Sequence, residues 1–234
     1  MNGPIADTFG LAHHTRLPAS FFARETTTVA RDVLGKVLIS RTGGLFTGGR
    51  IVETEAYLGR DDPGSHAATK GITRRNAVMY GPPGCAYVYF TYGVHFMLNL
   101  VTEEAGNAGA VLVRAIQPQF GIDEMARRRG GRPLRELANG PGKVAQALGL
   151  DLTDNGTVLG LERIAVFDAP LPIEPVAVSG RIGLSAGHER ILRFYLEGNE
   201  HVSGGRTGPR RTARLTIHGD ESRAGNARKR KDSE

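Results

Sequence analysis

Residues 51–99 read IVETEAYLGRDDPGSHAATKGITRRNAVMYGPPGCAYVYFTYGVHFMLN, and the rest of the chain is interpreted around this stretch. It contains two glutamates two positions apart, Glu53 and Glu55, and a histidine in a glycine-rich loop, His66. Four of the chain's six tyrosines lie between positions 80 and 92. We expect the chemistry of the protein to lie here.

The segment Arg50–Tyr57 predicts a β-strand. Side chains alternate across a strand, so an extended segment divides them into two sets. One face would carry Ile51, Glu53, Glu55 and Tyr57, and the other Val52, Thr54 and Ala56. The second face fits a core and the carboxylate face fits a polar cleft. The alternative is a solvent-facing edge without a role.

A hairpin is predicted next, with strands Ala86–Thr91 and His95–Thr102 joined at Tyr92–Gly93. An aromatic ring at a hairpin tip is unusual in water. Burial against another loop is one explanation, and insertion into a partner is the other.

Two further segments carry candidate site residues. The predicted strand Ala110–Gln117 places Arg114 in an apolar run, where it needs a carboxylate, a phosphate or a wet cleft unless one face is solvated. Before the predicted helix Val144–Leu150, Asn139 is a candidate cap and Lys143 a candidate phosphate contact.

Composition limits the class of protein. The 234 residues are 40% apolar, and no window has the roughly 18 consecutive apolar residues of a membrane span. The first 16 residues also show no apolar core of a signal peptide. We therefore expect a cytoplasmic protein. The net charge is +6, of which +5 lies in residues 206–234. A basic tail favours a polyanion partner, although a solvated end explains it equally well.

Several chemistries find no matching motif. The sequence lacks metal-ligand spacings, a cysteine pair, a serine nucleophile elbow and a dinucleotide fingerprint. Two carboxylates suit glycoside hydrolysis, but the sequence cannot place them across a scissile bond. A single carboxylate that activates water against an N-glycosidic bond is the other possibility. Aromatic rings would then enclose the departing base, as they do in pockets for extruded nucleobases.

These motifs together resemble the alkyladenine (methylpurine, 3-methyladenine) DNA glycosylase family. The resemblance rests on VETEAYLGRDD, SHA, YVYFTYGVHFMLNLV, AVLVRAIQP, NGPGKVAQALGL and RIGLSAG, in that order. It implies an α+β fold in one domain, with a curved, mostly antiparallel β-sheet flanked by helices and a protruding β-hairpin. We expect a loose leader at 1–16, the glycosylase domain at 17–203 and a basic, disordered tail at 204–234.

The resemblance also implies roles for residues. Glu55 matches the general base that activates water, and Arg114 matches a residue near that water and the backbone phosphate. The backbone carbonyl of Ile182 matches another water contact. Glu53 receives no catalytic role, and Lys143 is kept as a phosphate contact.

The remaining matches concern the damaged base. Tyr57 and His66 match residues that stack on one of its faces, and Tyr89 matches the stacker on the other face. Tyr92 matches the wedge that fills the gap in the duplex. Asn99 matches the residue that crowds the amino group of normal guanine.

The implied activity is that of a monofunctional hydrolase of base excision repair. It would flip alkylated or deaminated purines out of double-stranded DNA and leave an abasic site, as a monomer, with no cofactor and no metal. A lesion-binding module without catalysis and an N-glycosidase for nucleosides or RNA are the alternatives. The lesion range stays open among 3-methyladenine, 7-methylguanine, hypoxanthine and ethenoadenine.

Overall fold

The computed structural model describes residues 15–68, 71–160 and 162–204. Most of the predicted leader and nearly all of the predicted tail lie outside these residues, so the domain boundaries stay predictions. Eight strands form one antiparallel sheet: β1 Val37–Thr42, β2 Leu45–Tyr57, β3 Ala86–Thr91, β4 His95–Val101, β5 Ala110–Phe120, β6 Ile164–Phe167, β7 Val176–Ser179 and β8 Arg193–Leu196. The expected fold class is confirmed.

The strand order is β3-β4-β5-β2-β1-β6, and β8 pairs with both β2 and β7. The 13-residue β2 therefore has β1, β5 and β8 as neighbours. The helices are α1 Ala19–Phe22, α2 Thr26–Asp32, α3 Ile122–Arg128 and α4 Pro141–Leu148, with 3₁₀ turns at Ala77–Tyr80, Leu134–Glu136 and Leu152–Asp154. None of the described helices is long and apolar enough to cross a membrane.

The main core lies between the sheet and the helices α2 and α4. Val29 of α2 and Val144 of α4 are wholly buried in one cluster with Val52 and Ala56 of β2. The apolar side chains of β2 thus pack under the helices, as the alternation predicted.

Irregularities in the pairing of β2 with β5 alter this alternation. Ile51 pairs with Ile116 and Glu53 with Ala115, so Val52 has no partner in the β5 register. Ile51 therefore joins Val52 in the core instead of sharing the face of the carboxylates. On β5, Ala115 pairs with Glu53 and Val113 pairs with Thr54. Arg114, which lies between them, therefore has no partner in the β2 register.

One local expectation is wrong and one element was missed. Asn139 does not cap α4, because the N-cap is Gly140 and no side chain caps it. The predicted hairpin is observed, with Thr91 paired to His95 across the loop Tyr92–Val94. Strand β7, Val176–Ser179, was not predicted, since it lies directly after a proline-rich segment.

Candidate functional site

Glu55 lies near the end of β2 and is wholly buried. Its Oε1 accepts the backbone N–H of Ile182 at 2.7 Å, and its Oε2 accepts the Tyr57 hydroxyl at 2.8 Å. The Arg114 Nη1 lies 3.2 Å from the same Oε2. A carboxylate offers about four acceptor positions, so these three donors leave room on Oε1 for one more. A water molecule would fit that role.

Glu53 has a different set of neighbours. Its Oε1 accepts from the Nε atoms of Arg114 at 3.0 Å and Arg193 at 2.6 Å, and from the Ser203 hydroxyl at 2.9 Å. Its Oε2 accepts the Ser203 backbone N–H at 2.7 Å. Arg193 also donates to the Ser179 hydroxyl at 3.0 Å. Glu53 therefore accepts one more hydrogen bond than Glu55, and two of its donors are arginines, although three of the four bonds share Oε1.

Arg114 joins the two carboxylates, because its Nε contacts Glu53 and its Nη1 contacts Glu55. Burial alone would lower the pKa of this guanidinium, but Glu55 and Glu53 outweigh burial and raise it. Arg114 therefore stays charged. The prediction that it faces a carboxylate is confirmed.

Aromatic side chains build one end of the site. His66 Nδ1 lies 2.9 Å from the Tyr87 hydroxyl, and its ring meets the Tyr89 ring edge to face, with centroids 4.7 Å apart. Burial, assisted by the positive charge of Arg75, lowers the pKa of His66. Burial also raises the pKa of Tyr87 to about 12. At neutral pH the imidazole is therefore uncharged and the phenol keeps its proton.

Tyr57 is fixed from two directions. Its hydroxyl donates to Glu55, and the guanidinium of Arg181 lies 4.7 Å from its ring centroid. Burial, reinforced by the negative charge of Glu55, raises its pKa well above the ordinary value. Its proton is therefore retained and continues to satisfy one oxygen of Glu55.

An ion pair behind Tyr57 holds two loops together. Arg181 and Asp62 are both wholly buried, with Nη1–Oδ2 at 2.6 Å and Nη2–Oδ1 at 2.5 Å. Arg181 also donates to the carbonyls of Ala56 at 3.0 Å and Gly187 at 3.1 Å. Because Arg181 directly precedes Ile182, this pair fixes the N–H that binds Glu55.

A cavity of about 280 Å³ is bordered by the partners of Glu55, while the wholly buried Glu55 itself is not among its lining residues. Seven of the predicted site residues line it: Tyr57, His66, Tyr89, Tyr92, Asn99, Arg114 and Ile182. Sequence reasoning missed other members of the lining, among them Gly64, Met79, Tyr87, Met97, Leu112, Pro141 and Leu184. Asn99 is buried, and its Nδ2 donates to the Tyr87 carbonyl at 3.1 Å. The structure thus assembles residues from distant parts of the chain around one pocket.

At the mouth of the cavity, the hairpin tip Tyr92–Val94 carries the most exposed tyrosine. Tyr92 is 77% exposed and Val94 is 68% exposed. Tyr92 has a positive φ of 53°, which is uncommon for a residue other than glycine, and Gly93 continues the turn with a φ of 69°. The sequence left two explanations for an aromatic ring at the hairpin tip, burial against another loop or insertion into a partner. No described loop covers Tyr92, so the first explanation is excluded for the described residues.

Lys143 lies beside the cavity instead of in its lining. It sits in the first turn of α4, whose Pro141 contacts the cavity, and its Nζ donates to Asn139 Oδ1 at 2.7 Å. The expected phosphate contact of Lys143 therefore stays a prediction. So does the expected water contact of the Ile182 carbonyl, since the observed contact of Ile182 is through its N–H.

Comparison with known proteins gives a consistent result. A family model described as methylpurine-DNA glycosylase matches residues 20–200. A relative from Carboxydothermus hydrogenoformans, named "putative 3-methyladenine DNA glycosylase", is 47% identical over 189 residues, which are 80% of this chain and 98% of the relative. Relatives of the same name from Chlorobaculum parvum and Methanoculleus marisnigri are each 46% identical, over 82% and 80% of this chain and 93% and 98% of their own lengths. The chain therefore belongs to the methylpurine-DNA glycosylase family and is a DNA glycosylase of base excision repair.

Proposed function

We propose that this glycosylase flips an alkylated or deaminated purine out of duplex DNA and hydrolyses its N-glycosidic bond with a water activated by Glu55. The observation that carries this proposal is the surroundings of Glu55. It is a wholly buried carboxylate with one acceptor position left on Oε1, and its three donors, Tyr57, Arg114 and Ile182, line a cavity that also contains aromatic rings. A general base needs such a position to hold and deprotonate water.

The chemical step uses few groups. Water attacks C1′ of the flipped nucleotide while the bond from C1′ to the base nitrogen breaks, and the proton of the water passes to Glu55. The bonding electrons leave with the purine, so a cationic alkylated purine departs as a neutral molecule. A neutral purine such as hypoxanthine must gain a proton, and its release is therefore slower without an acid. Arg114, fixed by Glu53, holds Glu55 in place during the step.

The cavity suits a purine that has left the helix. Tyr57, His66 and Tyr89 supply rings for stacking, which favours electron-poor bases. Because His66 is uncharged, it does not repel a cationic purine. Asn99 is fixed by the Tyr87 carbonyl and occupies space in the lining, so we propose that it excludes the amino group of normal guanine.

The exposed hairpin tip is suited to insertion into duplex DNA. An apolar ring inserted between base steps compensates for lost stacking and keeps the extruded nucleotide outside the helix. Tyr92 has the required exposure and stands at the mouth of the cavity. We propose that it enters the gap left by the flipped base, while Lys143, in the first turn of the helix whose Pro141 lines the cavity, contacts a phosphate.

We further propose that the enzyme leaves the DNA strand uncut. Strand cleavage by glycosylases requires an amine that forms a Schiff base. In the described part of the chain neither lysine lines the cavity, since Lys36 is paired to Asp168 at 2.5 Å and Lys143 lies beside the cavity, bonded to Asn139. The product would therefore be an intact strand with an abasic site.

The test compares the wild type with Glu55→Gln on a methylated duplex. The variant keeps the volume but cannot accept a proton, so we expect released purine to fall by a factor of about 100 or more. Glu104→Gln, which changes an exposed carboxylate in a loop, is the matched control and should keep the wild-type rate. Full activity of Glu55→Gln would contradict the assignment of the base. Strand breaks before alkaline treatment would contradict the monofunctional product.

A further inference from the structure

Arg75 lies beside the aromatic end of the cavity but has no place in the mechanism above. Its guanidinium lies 5.2 Å from the centroid of the Tyr89 ring, and its Nη2 donates to the Phe90 carbonyl at 3.3 Å. The side chain is exposed, and Arg75 is not among the residues that line the cavity. Its charge and a side-chain hydrogen bond also act on the Tyr87 hydroxyl, where they partly offset the burial that raises the pKa of that group. Its influence on a bound base would therefore act through space and through Tyr87 and Tyr89.

The charge of Arg75 differs from that of the other arginines at the site. Arg114 and Arg193 are matched by Glu53 and Glu55, and Arg181 is matched by Asp62. Within residues 15–68, 71–160 and 162–204, no carboxylate lies within ion-pair distance of Arg75. The described groups thus leave the charge of Arg75, like that of Lys143, without a carboxylate partner beside the pocket.

The charge of Arg75 affects groups inside the cavity. The pKa of His66 is lowered by burial and further by the positive charge of Arg75. An imidazolium is a small cationic heterocycle, and Arg75 opposes its formation among these rings. A cationic alkylated purine in contact with Tyr89 would experience repulsion of the same sign.

We propose that Arg75 is a selectivity residue that offsets the attraction of the tyrosine-lined pocket for cationic purines and thereby lets neutral damaged purines compete. This inference rests on the proposed function. Aromatic faces attract cations, which by itself would favour alkylated bases over deaminated ones. A fixed positive charge close to one ring repels a cationic base from the moment it enters the pocket, whereas a neutral base such as hypoxanthine is repelled only once it gains the proton with which it leaves.

The test measures a ratio of rates. Two duplexes identical except for one base would carry 7-methylguanine, which is cationic, or hypoxanthine, which is neutral. Single-turnover excision with saturating enzyme gives the ratio of the two rates for the wild type, Arg75→Gln, Arg75→Lys and Arg74→Gln. Arg74 is the matched control, because it is an exposed neighbour with the same charge and no described contact with the Tyr89 ring.

Removal of the charge should raise the 7-methylguanine to hypoxanthine ratio by about threefold to tenfold in Arg75→Gln. Arg75→Lys and Arg74→Gln should stay within about twofold of the wild type, since the first keeps the charge and the second alters a more remote one. Changes in folding or in phosphate contacts would slow both excisions together and cancel in the ratio.

Three outcomes would overturn the inference. An unchanged ratio in Arg75→Gln would show that the charge does not select among bases, even if both rates fell. The same rise in Arg75→Lys, or an equal rise in Arg74→Gln, would show that the charge at this position is not the cause. If the wild type released neither base, the proposed function would fail and this inference with it. If the wild type released both and only the ratio failed to move, the proposed function would stand.

Discussion

Glu53 and Glu55 are the same residue type on the same strand, and both are wholly buried, but their surroundings differ. Glu53 accepts four hydrogen bonds from two arginines and Ser203. Glu55 has three donors, and only one of them is an arginine. On the proposed assignment, the number and charge of the donors, rather than burial or position on the strand, separate the carboxylate that performs chemistry from the one that supports the structure.

Arg114 couples the positions of the Glu53 and Glu55 side chains. Its Nε is held by Glu53, and this fixes the direction in which Nη1 reaches Glu55. Ser203, near the end of the described chain, holds Glu53 in turn. The support for Glu55 therefore extends from β2 through β5 to the last described residues.

The largest expected effect is a difference in the stability lost when each of these two carboxylates is replaced. Glu53→Gln leaves Arg193 without a carboxylate in a buried place, and we expect the free energy of unfolding to fall by about 3–5 kcal/mol. Glu55→Gln should cost less, because Arg114 keeps its contact with Glu53. Urea unfolding followed by circular dichroism measures both.

The exposed variant Glu104→Gln is the control and should match the wild type in that assay. If Glu55→Gln lowered the free energy of unfolding as much as Glu53→Gln or more, the comparison would be contradicted. Glu55 would then stabilise the fold as much as Glu53 does.

Local patterns in the sequence predicted much of this arrangement. The alternation around Glu55, the aromatic hairpin strands and Pro141 in the first turn of α4 are signals that lie within a few residues of one another. An arginine in an apolar strand needs a partner, and this requirement led correctly from Arg114 to a carboxylate. Such predictions succeed because the physical cause is contained in the segment itself.

Other parts of the site depend on contacts between distant segments. Asp62 and Arg181 are 119 positions apart, and neither segment indicates that both side chains are buried. The irregular pairing that turns Ile51 into the core follows from the register of β2 against β5. The N–H of Ile182 binds Glu55 because a loop is folded back by Arg181. No spacing in the sequence could reveal these relations.

Asp62→Asn sharpens the comparison with a third buried carboxylate, which resembles Glu53 in that its oxygens are occupied. Asp62 accepts from Arg181 twice and from the backbone N–H groups of Leu58 and Gly64. We expect a loss of about 2–3 kcal/mol in the free energy of unfolding, because the amide keeps part of the hydrogen bonding.

The pH dependence of this loss gives a second measurement. Burial raises the pKa of Asp62, but the contacts with Arg181 and the two N–H groups outweigh it, so the net pKa is lowered. The carboxylate therefore stabilises the fold at pH values above the ordinary aspartate pKa of 3.8. This contribution disappears as the pH falls through the lowered pKa of the folded state. The difference between wild type and Asp62→Asn should be largest above about pH 5 and shrink on acidification. A difference that grows on acidification would contradict the ion pair.

The smallest expected effect on stability is at the hairpin tip, where the exposed Tyr92 is proposed to contact DNA rather than to support the fold. Tyr92→Ala should leave the urea midpoint unchanged and slow single-turnover excision by about tenfold, since loss of one stacked ring costs about 1–3 kcal/mol. Tyr92→Phe keeps the ring and should retain the rate, whereas Val94→Ala changes a neighbouring exposed apolar side chain and should have less effect. Equal rates for Tyr92→Ala and the wild type would count against insertion into the duplex. A large loss of stability would show instead that the tip supports the fold, as Glu53 does.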